Sequence, residues 1–414
     1  MIRSLRTGIT GLRSNQLRLD VIGNNISGVN TVGFKRSRVL FQDALTQRIA
    51  TGGQLHGPNA TNPSYVGHGV AVGAVDQVWS QGAFEYTNLP TDLAIAGDGF
   101  FIAGTPQGNV LTRAGAFSFD ADGYLVSPSG LRIQGWSAGP DGAIHTGELG
   151  DVRINPSMTS PATRTSEMTV EGNLSADREV GADDPLTMSS VIYDGTGRAH
   201  TVVLSMEKTA EGEWTLTGAE IAGDPAITLI DPDDAASWPA PLTFDEDGNL
   251  TGGGSIALSG AFPDGSALSI DLDFSGLTQY GGSSTATVAQ QDGRPAGDLV
   301  DYGFDQTGTL VLAFSNGERM EAAQLALGMV SNPDGLDVVG DGYYMSTVAS
   351  GDLRIGRAGS EVPGGIVAGA LEGSNVDLAE EFTDMIVAQR GYQASARIVT
   401  TSDELLQETV SLKR

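Results

Sequence analysis

Two stretches at opposite ends of the chain carry the same rhythm. Leu5, Leu12, Leu19 and Ile26 recur every seven residues, with Ile2 and Ile9 at the alternate site. Toward the other end, Leu378, Met385, Tyr392, Val399 and Leu406 hold one heptad position, and Phe382, Gln389, Ala396, Asp403 and Val410 hold the other. Seven-residue spacing predicts long helices, each with one apolar seam. The expected helices occupy 1–28 and 375–414 and pair as a coiled coil; the second, from Val376 to Leu412, starts behind Ser374 or Asn375 as N-cap with Asp377, Glu380 and Glu381 at the positive end of its dipole. Gln16, Gly23, Gln389 and Asp403 interrupt the seams and are expected to meet a neighbour or a wet interior. Helices with one apolar stripe are marginal alone in water. Copies of the same chain offer a natural cover, and head-to-tail contacts between copies give an open helical filament.

Between the ends no helical rhythm persists. Gly occupies 57 of 414 positions, about twice ordinary usage, and Asp-Gly turns recur between short apolar alternations. The fold class expected is mainly β with long terminal α-helices, nested as several domains. Residues 29–75 lack strong periodicity and read as an extended connector. An internal echo then organises the rest: Leu93 to Phe101 matches Leu336 to Tyr344 position for position through a Gly-Asp-Gly turn, and Arg113 and Arg357 follow, each before Ala-Gly. Both copies are expected in one discontinuous β domain, 76–155 with 297–374, interrupted by an inserted outer β domain at 156–296. Within the insertion, Val202, Leu204 and Met206, and more cleanly Leu268, Ile270, Leu272 and Phe274, alternate as half-buried strands.

Charge narrows the function. The net charge is −28, yet residues 1–48 hold eight Lys or Arg against Asp20 and Asp43, a balance of +6 that leaves −34 for the remainder. A field of that sign excludes nucleic acid as a partner. The basic N-terminal stripe could lie on a membrane surface, but the second heptad segment is the better cover, and membrane insertion is not expected because no run approaches ~18 apolar residues. The start lacks the uninterrupted apolar core of a secretory signal, as would a chain exported by a dedicated machine. There is no cysteine, hence no disulfide and no thiolate metal site. No catalytic or phosphate-binding motif is present, so neither catalytic residues, nor a metal, nor a cofactor is expected. The phrases at Asp120 and Asp245 read as turns rather than calcium loops, and Asp233 with Asp234 as a solvated loop.

The residues Asn24, Asn25, Asn30, Thr31, Gly33, Phe34 and Lys35 near the start, and Ser374, Asn375, Val376, Asp377, Gln389 and Arg390 near the end, resemble the two signatures of the bacterial flagellar axial proteins of rod and hook. The Gly-Asp-Gly-Phe-Phe phrase and the stretches around Tyr193 and Gly297 are similar to hook proteins in particular. The resemblance implies a non-enzymatic subunit that self-assembles into the curved, flexible hook, transmitting torque from rod to filament. The terminal helices would line the inner tube, under a middle β shell and an outer one. It further implies an extracellular location on the flagellum after type III export, and rod, hook-cap, hook–filament junction and length-control proteins as partners. A distal rod protein shares both signatures; a secreted β-rich adhesin or carbohydrate-active enzyme would fit the acidic middle but leaves the heptad ends unexplained.

Overall fold

The strands in the middle of the chain form where β-branched and aromatic residues alternate with polar ones, and they turn at glycine. The computed structural model describes residues 2–44, 46–50, 64–106, 108–139, 142–155, 157–222, 241–262 and 266–411. Asp233, Asp234, Pro156 and Leu412 lie outside these residues, as does the middle of the expected connector. The chain divides into two units, one of 1–155, 302–312 and 320–414, the other of 156–301 and 313–319. The second unit therefore extends past the expected boundary at 296 and takes in a later strand-turn segment as well.

In the first unit, helix α1 spans Ile2–Ser27. The chain then runs through β1 (Ser37–Asp43), β2 (Thr46–Ala50), β3 (Ser64–Gly67) and β4 (Val70–Gln77), with β1 paired to β4 and β2 to β3, all antiparallel. The connector is thus a pair of two-stranded ribbons, which its irregular alternation concealed. Next come β5 (Phe84–Tyr86), β6 (Leu93–Ala96), β7 (Phe100–Thr105), β8 (Gly108–Thr112) and β9 (Arg132–Ser137). After the second unit the chain returns as β10 (Asp337–Gly340), β11 (Tyr343–Met345), β12 (Gly365–Ala368) and β13 (Ala370–Glu372), and ends in α2 (Leu378–Ser411). The order β9-β7-β8-β11-β10 places β8 between the two echo segments, with Leu111 opposite both Ile102 and Tyr344. Phe101, Ile102, Leu111 and Ile133 are fully buried there, and Trp79, Phe100 and Tyr344 meet edge to face with centroids 5.1–6.1 Å apart.

The second unit is a sandwich. A four-stranded sheet ordered 255–261, 267–278, 167–173, 287–291 and a five-stranded sheet from Leu186 to Gly252 share one core. Strict alternation in Ala267–Thr278 sends Leu268, Ile270, Leu272 and Phe274 inward and leaves Ser269 and Asp271 outside. Val202, Leu204, Met206 and Trp214 face them across the core. The Asp-led turns close on themselves: Asp120 Oδ1 accepts from Tyr124 N at 2.7 Å, Asp245 Oδ1 from Asn249 N at 2.7 Å and Asp305 Oδ1 from Thr309 N at 2.8 Å. Those carboxylates serve the backbone of their own turns. Because Ile270 is fully enclosed, Ile270→Ala is expected to lower the unfolding free energy by about 2–5 kcal/mol, whereas Ser269→Ala on the outer face should shift it by less than about 0.5 kcal/mol; a denaturant titration of both variants measures the contrast.

Candidate assembly surface on the terminal helices

α1 and α2 run antiparallel. Ser4 Oγ lies 3.2 Å from Ser402 Oγ, Arg18 Nη2 lies 3.1 Å from Asp384 Oδ2, and Asn25 Nδ2 donates to Glu381 Oε1 at 3.1 Å. Between these points the backbones approach closely. A Cβ on Gly8 would stand 2.9 Å from a Val399 methyl, one on Gly11 2.7 Å from Ser395 Oγ, and one on Gly391 2.8 Å from Asn15 Oδ1. Glycine inside a helix costs roughly 0.5–1 kcal/mol against alanine, so three of them in one contact mark a fit that side chains would block. The touching positions do recur at intervals of three and four; on α1 they carry Ser, Gly, Asn and Arg, and α2 answers Gly8 with Val399 and Ile398.

The helices pair as expected, but most of the seam residues lie beside the contact rather than in it. The rows at 5, 12, 19, 26 and at 382, 389, 396, 403 each stand one residue beyond the contact rows, about 100° around the helix, whereas the row of 378, 385, 392, 399 and 406 reaches α1 at Gly8 through Val399. Leucine-sized seams would hold the axes too far apart for the glycines to meet their partners. Leu5, Leu12, Leu19 and Ile26 are therefore only half-buried and Ile9 is exposed; Leu378, Phe382, Tyr392 and Val410 are exposed, while Met385, Val399 and Leu406 are half-buried. Of Ile2 only the backbone is described. Gln16, Gln389 and Asp403 are exposed, and Gly23 is half-buried with no atom near its would-be Cβ.

Most signature residues sit where the helices join the β frame. Asn25 clasps Ser37 with both atoms of its amide, donating to Ser37 O at 2.8 Å and accepting from Ser37 N at 2.9 Å. Asn375 accepts from Arg36 N at 2.8 Å and donates to Val78 O at 2.7 Å. Asp377 caps α2 by accepting from Ala379 N at 2.8 Å, and Ser374 Oγ accepts from Val376 N. Gly33 takes φ +69°, and a Cβ there would lie 2.7 Å from Ala114 N. Phe34 packs its ring against Gly28. Lys35 is buried, its Nζ donating to Glu372 Oε1 at 2.6 Å and to Ser80 O at 2.9 Å. Glu372 also receives Gly82 N at 3.0 Å and Arg113 Nη1 at 3.3 Å. Asn24, Asn30, Thr31, Gln389 and Arg390 are exposed and Val376 is half-buried; the structure does not bring the exposed five into this junction.

Two electrostatic features follow. Burial pulls the Lys35 ammonium below its ordinary value, against the opposing pull of Glu372. Burial also pushes the Glu381 carboxyl upward, opposed by the hydrogen bond from Asn25 and by the Arg36 guanidinium at 3.8 Å, and reinforced by Asp384 and Glu380. Sequence reasoning named Arg113 only as part of the echo and Glu381 only for the helix dipole, and it missed Glu372, Gly8, Gly11 and Gly391. Mid-helix Gly8, Gly11 and Gly391, and the single carboxylate in the apolar strand Ala370–Glu372, were the available signals.

A chain whose two ends pair as helices and clamp a discontinuous β unit has the architecture that flagellar axial families describe. Residues 5–35 match the family described as "Flagella basal body rod protein", 94–176 "Flagellar hook protein FlgE/F/G D1 domain", 179–294 "Flagellar basal body protein FlaE D2 domain", and 367–412 "Flagellar basal body rod FlgEFG protein C-terminal". Flagellar hook protein FlgE of Borreliella burgdorferi is 36% identical over 458 aligned residues, and that of Treponema pallidum 34% over 466, each alignment covering 100% of both chains. The solved Helicobacter pylori flagellar hook protein FlgE2 aligns at 16% identity with a TM-score of 0.47, covering 68% of this chain and 98% of that one. The chain belongs to the flagellar hook protein FlgE family, and its role is that of a structural subunit of the bacterial hook.

Lys35→Ala would remove one charge-assisted hydrogen bond from Glu372, leaving it Gly82 N and Arg113, and is expected to destabilise the first unit by about 1.5–3 kcal/mol, read by chemical denaturation. Glu381 gives a pH signature. Its raised value means the folded state prefers the protonated form, so its contribution is greatest below the carboxylate range and is lost as pH rises through the raised value. The melting temperature of the natural chain relative to Glu381→Gln should therefore fall as pH rises above the ordinary carboxylate value of about 4; a constant difference would contradict the assigned burial.

Proposed function

We propose that copies of this chain polymerise through the outward apolar rows of α1 and α2, the paired helices lining a tube inside two β shells. One observation carries this reading. α2 meets α1 through small and polar residues together with Val399 and Ile398 at Gly8, and leaves Phe382 51%, Ile386 53%, Val387 53% and Leu405 53% exposed on its other faces. A 34-residue helix with that much uncovered apolar surface calls for a large external partner. The head-to-tail contact then generates a filament rather than a closed dimer.

The tube so formed is curved and flexible, and it carries torque from rod to filament while the helical lining stays continuous and the β units slide by small shears. Rod, hook-cap, junction and length-control proteins meet it at its ends and during growth, and the chain reaches the cell exterior through the flagellar type III apparatus. Its work is mechanical, without catalysis, cofactor or metal. Membership of the hook family supports this reading.

The double variant Phe382→Asp, Ile386→Asp tests the helical surface. Both side chains are exposed, so monomer unfolding should shift by less than about 0.5 kcal/mol. Loss of two buried contacts per subunit should raise the concentration needed for polymerisation by more than about tenfold, measured by sedimentation and electron microscopy. Tubes forming at the natural concentration would show that assembly uses another surface.

A further inference from the structure

The two echo segments differ in one respect. In the first, Leu93, Ala94 and Ile95 are fully buried, and β6 is covered by β12, with Ile95 opposite Ile366 and Ala94 opposite Val367. The equivalent strand of the second copy, β10, pairs only with β11 among the described residues, and all four of its residues are exposed. Val338 is 56% and Val339 57% exposed. The ladder slips between Val338 and Gly340, and Asp337 and Asp341 flank the pair. An outer strand with a bulge and carboxylates is guarded against indiscriminate pairing, yet two adjacent valines remain uncovered.

A second uncovered edge carries a cation near its start, Arg38, and a carboxylate, Asp43, at its far end. β1 pairs only with β4 among the described residues, its ladder slips between Leu40 and Phe41, and these two adjacent residues are 42% and 40% exposed. The Arg38 side chain is 63% exposed, with Asp76 as its ion-pair partner at 4.0 Å. This strand belongs to the N-terminal segment that is positive in an otherwise strongly acidic chain.

We propose that the edge Asp337–Gly340 of one copy receives the Arg38–Phe41 stretch of a second copy, Leu40 and Phe41 covering Val338 and Val339 while Arg38 faces Asp337. Backbone pairing across the two open edges supplies the adhesion, and the opposite charges select the register. The contact is head to tail, so it propagates along a polymer without closing. It rests on the polymer proposed above, and it adds a β contact to the helical one.

Because the chain has no cysteine, introduced thiols report the contact cleanly. Protein carrying Leu40→Cys and protein carrying Val339→Cys are mixed, assembled and oxidised. A disulfide-linked dimer is expected only from the mixture and only in polymer, and neither variant alone should link. In this background Arg38→Glu or Asp337→Lys alone should lower the yield about two- to fivefold, the scale of one exposed ion pair, and the two together should restore it. Polymers that form without the cross-link overturn this inference and leave helix-driven assembly standing. Linking unaffected by the charge reversals overturns the Arg38–Asp337 register. A mixture that never polymerises overturns both proposals.

Discussion

One buried carboxylate holds the first unit together. Glu372 accepts from Lys35, Arg113 and the amide of Gly82, and its carbonyl accepts from Gly33 N at 2.7 Å. Three stretches far apart in sequence, at 33–35, Gly82 and Arg113, thus converge on one residue just ahead of α2. Buried ions are expensive unless they find partners, and here Glu372 answers two cations while Ser80 O takes a further hydrogen bond from Lys35. The connector cannot leave the sheet, nor α2 change its angle of departure, without exposing an unpaired charge in an apolar interior. Asn25 and Asn375 extend the same constraint outward by fixing the last turn of α1 and the first of α2 to neighbouring backbone.

With both helices anchored at one end, their mutual contact can be lean. Gly8, Gly11, Gly391 and Ser395 let the axes come close, with Val399 of the apolar rows packed on Gly8. An ordinary helical hairpin would spend its leucines on itself. Here the polar and small residues close the pair, and the larger apolar side chains stay available around the circumference.

Much of the architecture was legible in the sequence. The helices lie within two residues of their expected starts, strict alternation marked Leu268 to Phe274 as a sheet face, and the echo placed both of its segments in one unit. Orientation was not legible. Heptads show that a helix has an apolar stripe, but not which side meets its nearest neighbour, and here the true contact lay one residue away among glycines whose fit depends on the opposing helix. The ribbons of 37–77 escaped notice because bulges at Leu40/Phe41 and Arg48/Ala50 break the alternation. The signature residues were noticed as a pattern, whereas their task as a junction became visible only with Glu372 and Glu381, the acceptors they meet.

The joining of Ser4 to Ser402 also sets an order of events. These residues are 398 positions apart, and α1 finds its within-chain partner only when the last segment of the chain is available. Contacts of such separation form late, after the loops between them have closed. The first helix therefore lacks its helical partner until the end of the chain is available. The chain carries its own delay: the hairpins of 186–221 can settle early on local strand pairings, while the helix pair stays open until the far end arrives to clasp it.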